Sequence, residues 1–93
     1  MQVAVKDSKQ LGQLARVIRK AQGLDQVAAA GLSANGTTFL SDFENGKATV
    51  ELGRVLRVLD ILGIRLHIDL PVENLHLTKT QQQQLATLLQ DAR

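Results

Sequence analysis

The sequence predicts a single all-α domain, and three observations predict it. Its 93 residues are too few for two separate cores, yet enough to bury about 60% of the surface that the unfolded chain exposes. With 2 Phe and no Tyr or Trp, the core must be built from Leu, Val, Ile and Ala, which suits close-packed helices better than aromatic-rich strands. Apolar residues also recur with helical spacing in successive segments, each stopped by a turn that carries glycine.

Composition narrows the function classes. A hydrophobic share of 44% beside 22% charged residues describes a folding chain, not a disordered one. The absence of Cys removes disulfides, thiolate nucleophiles and zinc-finger ligands. No apolar run approaches the ~20 residues of a bilayer span, and residues 1–10 lack the apolar stretch of a signal peptide, so no membrane partner and a cytoplasmic location are expected. The net charge of +2 is small but unevenly placed. Residues 1–24 carry Lys6, Lys9, Arg16, Arg19 and Lys20 against Asp7, a local +4, which leaves −2 on the remainder.

The first helix is expected after Ser8, where Leu11, Leu14, Ala15 and Ile18 share a face, with Gly23 as its stop. Arg16, Arg19 and Lys20 project from its other side, and spacing alone makes them a solvated face. Asp25 can cap a short second helix through Ala28-Ala29-Ala30, whose small side chains let neighbours approach closely. Gly31, Ser33, Asn35 and Gly36 then mark a turn. The third helix runs about two turns from Thr37, with Phe39, Leu40 and Phe43 apolar, and Asn45-Gly46 ends it.

Thr49 can cap a fourth, longer helix. Its Leu52, Val55, Leu56, Val58, Leu59, Ile61 and Leu62 cover more than one stripe, and the surplus asks for a second partner. After Gly63 the period changes to 2: Ile64, Leu66, Ile68 and Leu70 alternate with Arg65, His67 and Asp69 until Pro71. That reads as one short strand with no second strand to pair with. Pairing with the same strand of a second copy solves the problem, so a homodimer is expected. Residues 71–93 form a tail in which Thr78 or Thr80 can cap a short helix carrying Leu85, Leu88, Leu89 and Ala92. Alone it is marginal, so it docks on the domain, orders on a partner or frays, with docking or fraying preferred.

The segment Leu24–Lys47, LDQVAAAGLSANGTTFLSDFENGK, concentrates the functional signal. It resembles the helix-turn-helix of the Xre, or lambda-repressor-like, family, through Leu24, Gln26, Ala30, Leu40, Ser41, Glu44, Asn45, Gly46 and Lys47 in register without a gap. With Arg16 and Arg19 upstream and the fourth helix downstream, roughly two-thirds of the chain is covered. The sequence departs from the family pattern at Ala29, where a larger apolar residue is usual, at Ala34, the usual turn glycine, and at Asn35, the usual Val. Gly31 and Gly36 are expected to supply the backbone freedom that Ala34 lacks.

The resemblance implies a compact four- to five-helix lambda-repressor-like domain over residues 8–70 whose third helix enters the major groove. By carry-over, Thr37, Thr38, Ser41 and Asp42 read bases, while Gln26, Asn45, Lys47 and Arg16 hold phosphates. Asp42 is equally well a surface charge. Arg19 and Glu44 match a family pair that forms a structural salt bridge. The strand after the fourth helix, together with TVELGRVLRVLDILGIRL, resembles the HipB-type antitoxin subgroup, whose dimers close through paired strands. That resemblance implies a repressor of its own operon, a palindromic double-stranded operator and a HipA-type kinase toxin as partner. A stand-alone regulator and a helical interaction adaptor stay open as alternatives. An enzyme is not expected: His67 and His76 have no nucleophile or metal-ligand set at useful spacing, so no catalytic residue, metal or cofactor is assigned.

Overall fold

The structure, a computed structural model, describes residues 1–90. Among them lie five α-helices: α1 (Ser8–Ala21), α2 (Gln26–Leu32), α3 (Thr37–Glu44), α4 (Leu52–Ile61) and α5 (Lys79–Gln90), with a 3₁₀ turn at Val72–Asn74. The first four enclose one hydrophobic core of Ala15, Ala29, Ala30, Leu40, Phe43, Val55, Val58, Leu59 and Leu62.

Helix α1 starts one residue earlier than its apolar pattern suggests, because the cap is a carboxylate. Asp7 accepts from the Gln10 amide at 2.8 Å, and the Gln10 side chain accepts from the Lys6 amide at 2.7 Å, a reciprocal arrangement that satisfies two free backbone donors. Ala15 and Gly12 are buried, whereas Ile18 stays exposed. Gly12 is required by a close approach: a Cβ there would overlap the Phe43 carbonyl, so α1 and α3 touch backbone to backbone.

Asp25 caps α2, accepting from the Ala28 amide at 2.8 Å. The alanine-rich helix is thin enough for α3 and α4 to pack on Ala29 and Ala30. The turn that follows departs from expectation. Gly31 lies inside α2 and Gly36 has an ordinary φ of −85°, while Ala34 itself adopts φ +56°. The alanine at the usual glycine position therefore takes the left-handed conformation directly. Gly46, with φ +83°, ends α3.

Helix α4 begins at Leu52 with Glu51 as its N-cap, not Thr49, and no side chain caps it. Val55, Val58 and Leu59 face the core, while Leu52 and Leu56 on the outer flank are 68% and 42% exposed, so the surplus apolar face is uncovered within the chain. Gln22 ties the ends of α1 and α4 together, donating to the Leu62 carbonyl at 2.7 Å.

Residues 64–70, read from the sequence as a strand, belong to no ladder among the described residues. A strand exists only through backbone pairing, and the described residues supply no second strand. Ile64 packs against the core, while Leu66, Ile68 and Leu70 are exposed. In the tail, Thr78 rather than Thr80 caps α5: its hydroxyl accepts from the Gln81 amide at 3.1 Å, and the Gln81 side chain accepts from the Thr78 amide at 3.0 Å. No α5 residue is buried, and Leu85 and Leu88 lie beside Leu70, Val72, Leu75 and Leu77. Ala92 lies outside the described residues. The described chain measures 48 × 26 × 23 Å.

Candidate nucleic-acid interface

Three elements converge on one carboxylate at the C-terminal end of α3. Arg19 reaches from α1 and donates through Nε to Glu44 Oε2 at 2.6 Å and through Nη2 to Oε1 at 2.9 Å. Its third nitrogen, Nη1, donates to the Leu24 carbonyl in the α1–α2 loop at 2.7 Å. Gln26, the first residue of α2, donates from Nε2 to Glu44 Oε1 at 3.1 Å. Arg19 and Glu44 are 4% and 3% exposed, and no buried side-chain nitrogen or oxygen among the described residues lacks a partner. The guanidinium fork matches the carboxylate in two parallel bonds, so the pair fixes orientation as well as distance.

Burial alone would push the Glu44 carboxyl up. The bonds from Arg19 and Gln26, together with the Arg19 and Arg16 charges, outweigh it and hold Glu44 below the usual glutamate range. Glu44 in turn raises Arg19 above its ordinary value, chiefly through their hydrogen bonds. Both groups stay charged, and the end of α3 is locked against α1 and α2.

That lock leaves the opposite face of α3 free. Leu40, Phe43 and Glu44 point inward, whereas Thr37 and Thr38 are exposed and Ser41 and Asp42 half-exposed. The positions i, i+1, i+4 and i+5 form one outward stripe. Asn45 and Lys47 follow directly, bonded back to that stripe: Asn45 Nδ2 donates to Ser41 Oγ at 3.4 Å, and Lys47 Nζ lies 3.5 Å from Asp42 Oδ2. Both members of the Asp42–Lys47 pair are well exposed, so the pair is worth at most ~1 kcal/mol and yields readily to a competing ligand. The start of α1 adjoins this turn: Ser8 Oγ donates to the Gly46 carbonyl at 3.4 Å, and Lys9 packs against Gly46. Lys9 and Lys47 thus lie together at the turn that ends α3, and Arg16 is exposed on α1.

The structure brings Thr37, Thr38, Ser41, Asp42, Asn45 and Lys47 together. Gln26 is half-exposed, with its amide turned toward Glu44. Ile64, Leu66, Ile68 and Leu70 follow α4 and take no part in this face. Sequence reasoning gave no role to Arg57 and read Asn35 only as a turn residue. Arg57, on α4, donates to the Ser33 carbonyl at 3.0 Å and to Asn35 Oδ1 at 3.2 Å, contacts 24 and 22 residues apart that no local pattern announces. His67 and His76 are exposed, and no group of His, Asp or Glu among the described residues could hold a metal ion. Nor is any described helix long and apolar enough to cross a membrane.

Comparison with known proteins places this geometry. Residues 10–67 match the helix-turn-helix domain family. An uncharacterised HTH-type transcriptional regulator, y4mF, of Sinorhizobium fredii (strain NBRC 101917 / NGR234) is 41% identical over 69 residues, which span 74% of this chain and 91% of that protein. Among solved structures, the HipB–O4 20mer complex superposes with a TM-score of 0.68 and 18% identity, covering 75% of this chain and 99% of the matched chain. The HipA–HipB–O2–O3 complex does so with a TM-score of 0.69, 18% identity and the same coverage. At that identity the likeness is one of fold.

Proposed function

From its place in the helix-turn-helix family of transcriptional regulators, to which the chain belongs, we propose that it is a sequence-specific repressor that binds double-stranded operator DNA as a homodimer. One observation carries this reading: an outward stripe of Thr37, Thr38, Ser41 and Asp42 stands on a helix whose far end is clamped by the buried Arg19–Glu44 pair. A reading helix must be exposed along one face and held along the other, and α3 is exposed along this stripe and bonded through Glu44 to α1 and α2.

In this reading the Thr hydroxyls and methyls meet base edges, and Asp42, released from Lys47, accepts from cytosine N4. Lys47, Asn45 and Arg16 hold phosphates, and Gln26 bridges Glu44 to a phosphate with its second N–H. These short side chains make modest direct contacts, so DNA shape supplies part of the selectivity. Two copies join through Ile64, Leu66, Ile68 and Leu70, which supply each other's missing strand partner, and a two-fold dimer calls for a palindromic operator. The likeness in fold to HipB, which has been solved with HipA, supports a finer role as the antitoxin of a HipBA-like operon with a HipA-type kinase toxin as partner.

Gel shift against the promoter of the protein's own gene, over a salt series, tests the DNA reading. Salt-sensitive binding that an unrelated duplex of equal length does not match is expected, and equal binding to both duplexes excludes a specific repressor. Sedimentation equilibrium at micromolar concentration is expected to give twice the 10.1 kDa chain mass; a monomer there removes the shared strand. Co-purification of a kinase with the chain at native expression supports the antitoxin role, and its absence leaves a stand-alone regulator.

A further inference from the structure

We infer that Arg57 is a positioning residue for base reading: from α4 it holds the α2–α3 turn in the geometry that aims Thr37 and Thr38 outward. The inference rests on the DNA-reading proposal above and adds a residue outside the reading helix to it. Its ground is the conformation of Ala34, φ +56°, a region that a Cβ disfavours and that persists only where the surroundings impose it.

The surroundings are the end of α2 and, across from it, α4. Arg57 grips the residue on each side of Ala34, donating from Nε to the Ser33 carbonyl at 3.0 Å and from Nη2 to Asn35 Oδ1 at 3.2 Å. Asn35 continues the grip with its own amide nitrogen, 3.1 Å from Ser33 Oγ and 3.4 Å from the Arg54 carbonyl. Its backbone N–H returns to the Ala30 carbonyl at 2.8 Å, closing the end of α2. Ser33 is buried and bonds back to the Ala29 carbonyl at 2.8 Å, so the turn is fixed on the core side too.

Beyond the turn little else is local. Gly36, the N-cap of α3, contributes no side-chain cap bond, so the entry angle of α3 depends on the turn that precedes it. Thr37 and Thr38 are the first two residues after that entry, and because α3 is clamped at its other end through Glu44, a change in the turn swings this end of the helix furthest across a base edge. A planar guanidinium can span both acceptors at once, whereas an ammonium cannot reproduce that fork. Arg54 adds a contact on the same side, its guanidinium 5.8 Å from the Phe39 ring centre, so α4 steadies α3 beyond the turn as well.

The test is Arg57→Lys, which keeps the charge and most of the stem, measured by fluorescence anisotropy on a duplex from the promoter of the protein's own gene, taken as the operator, and on a random duplex, beside amide exchange at Asn35. The expected result is a fall of about tenfold in the operator-to-random ratio, comparable to one mismatched base pair, with random binding unchanged and the Asn35 amide exchanging faster. Adding Ala34→Gly, which removes the Cβ conflict, is expected to recover most of the ratio. An unchanged ratio, or equal losses on both duplexes with no recovery from Ala34→Gly, overturns the assignment of Arg57 while leaving the repressor reading intact. A parent protein that does not discriminate the two duplexes overturns both. Should Arg57→Lys fail to fold, Asn35→Ala, which deletes the Nη2 acceptor and keeps the arginine, carries the same expectations.

Discussion

Arg19 and Glu44 form a two-bond ion pair, 2.6 and 2.9 Å, sealed between α1 and α3. A sealed pair contributes through what its loss would leave behind. Removing one member strands the other charge away from water, which typically costs about 3–5 kcal/mol, whereas an apolar pair of similar size can be neutral or better.

Arg19→Met is therefore expected to lower the stability measured by urea unfolding by about 3–5 kcal/mol, and Arg19→Met with Glu44→Leu to recover more than half of it. A single-variant loss below about 1 kcal/mol, the range of exposed pairs, contradicts the burial argument.

The same pair predicts a response to acid. Glu44 binds its proton less readily in the folded chain than in the unfolded one, so its contribution is complete above the ordinary glutamate value of about 4.3 and drains away as the pH falls through its lower folded value. Arg19 is raised from a value already beyond the working range and adds no pH dependence there. Urea unfolding between about pH 5 and about pH 2 should show this loss in the parent protein, and Glu44→Gln, less stable throughout, should lose less over the interval. Parallel curves for the two proteins would assign the acid response to other carboxylates.

Two glycines in helices should respond in opposite directions to alanine. At Gly12 the new Cβ meets the Phe43 carbonyl, and a loss of about 1–3 kcal/mol is expected from the overpacking. Gly53 in α4 faces open space, so Gly53→Ala should gain about 0.5–1 kcal/mol through helix propensity. Thermal unfolding of both variants checks the pair, and a gain at Gly12 would mean that α1 and α3 stand further apart.

On DNA, Thr37→Ala combined with Thr38→Ala should narrow the gap between operator and random duplex, whereas Lys47→Ala should weaken both alike and reduce the salt slope by about 1. Equal losses from both variants on both duplexes would argue against α3 as the reader.

Much of this was legible in the chain, for reasons that vary with the element. Helices α1, α3 and α4 announce themselves through apolar spacing and through stops at Gly23, Gly46 and Gly63, where local chemistry and fold agree. Asp25 was readable as a cap because its carboxylate sits one residue before α2; Asp7 was not, since Ser8 beside it offers an equally good cap. Thr49 failed as a start because α4 begins from Glu51 with no side-chain cap. The turn glycines misled, since tertiary bonds from α4 can hold an alanine where propensity would place glycine. Residues 64–70 carry a strand's alternation, but alternation records which sides differ and cannot supply a partner. In the candidate site, Thr37, Thr38, Ser41 and Asp42 were named through the family resemblance, while the bond from Gln26 to Glu44 and the grip of Arg57 depend on how separate helices meet.

The tail beyond α4 has a hydrodynamic consequence. A compact chain of this length has a radius of gyration of about 12 Å, whereas this one has 16.1 Å, and no residue of α5 is buried. A particle so drawn out experiences more friction than a sphere of equal mass and leaves a gel-filtration column early. A single chain could thus pass for a pair against globular standards, so elution volume carries little weight in deciding how many copies associate. Absolute mass, from sedimentation equilibrium or light scattering, is the quantity that separates a slender monomer from a true two-chain assembly.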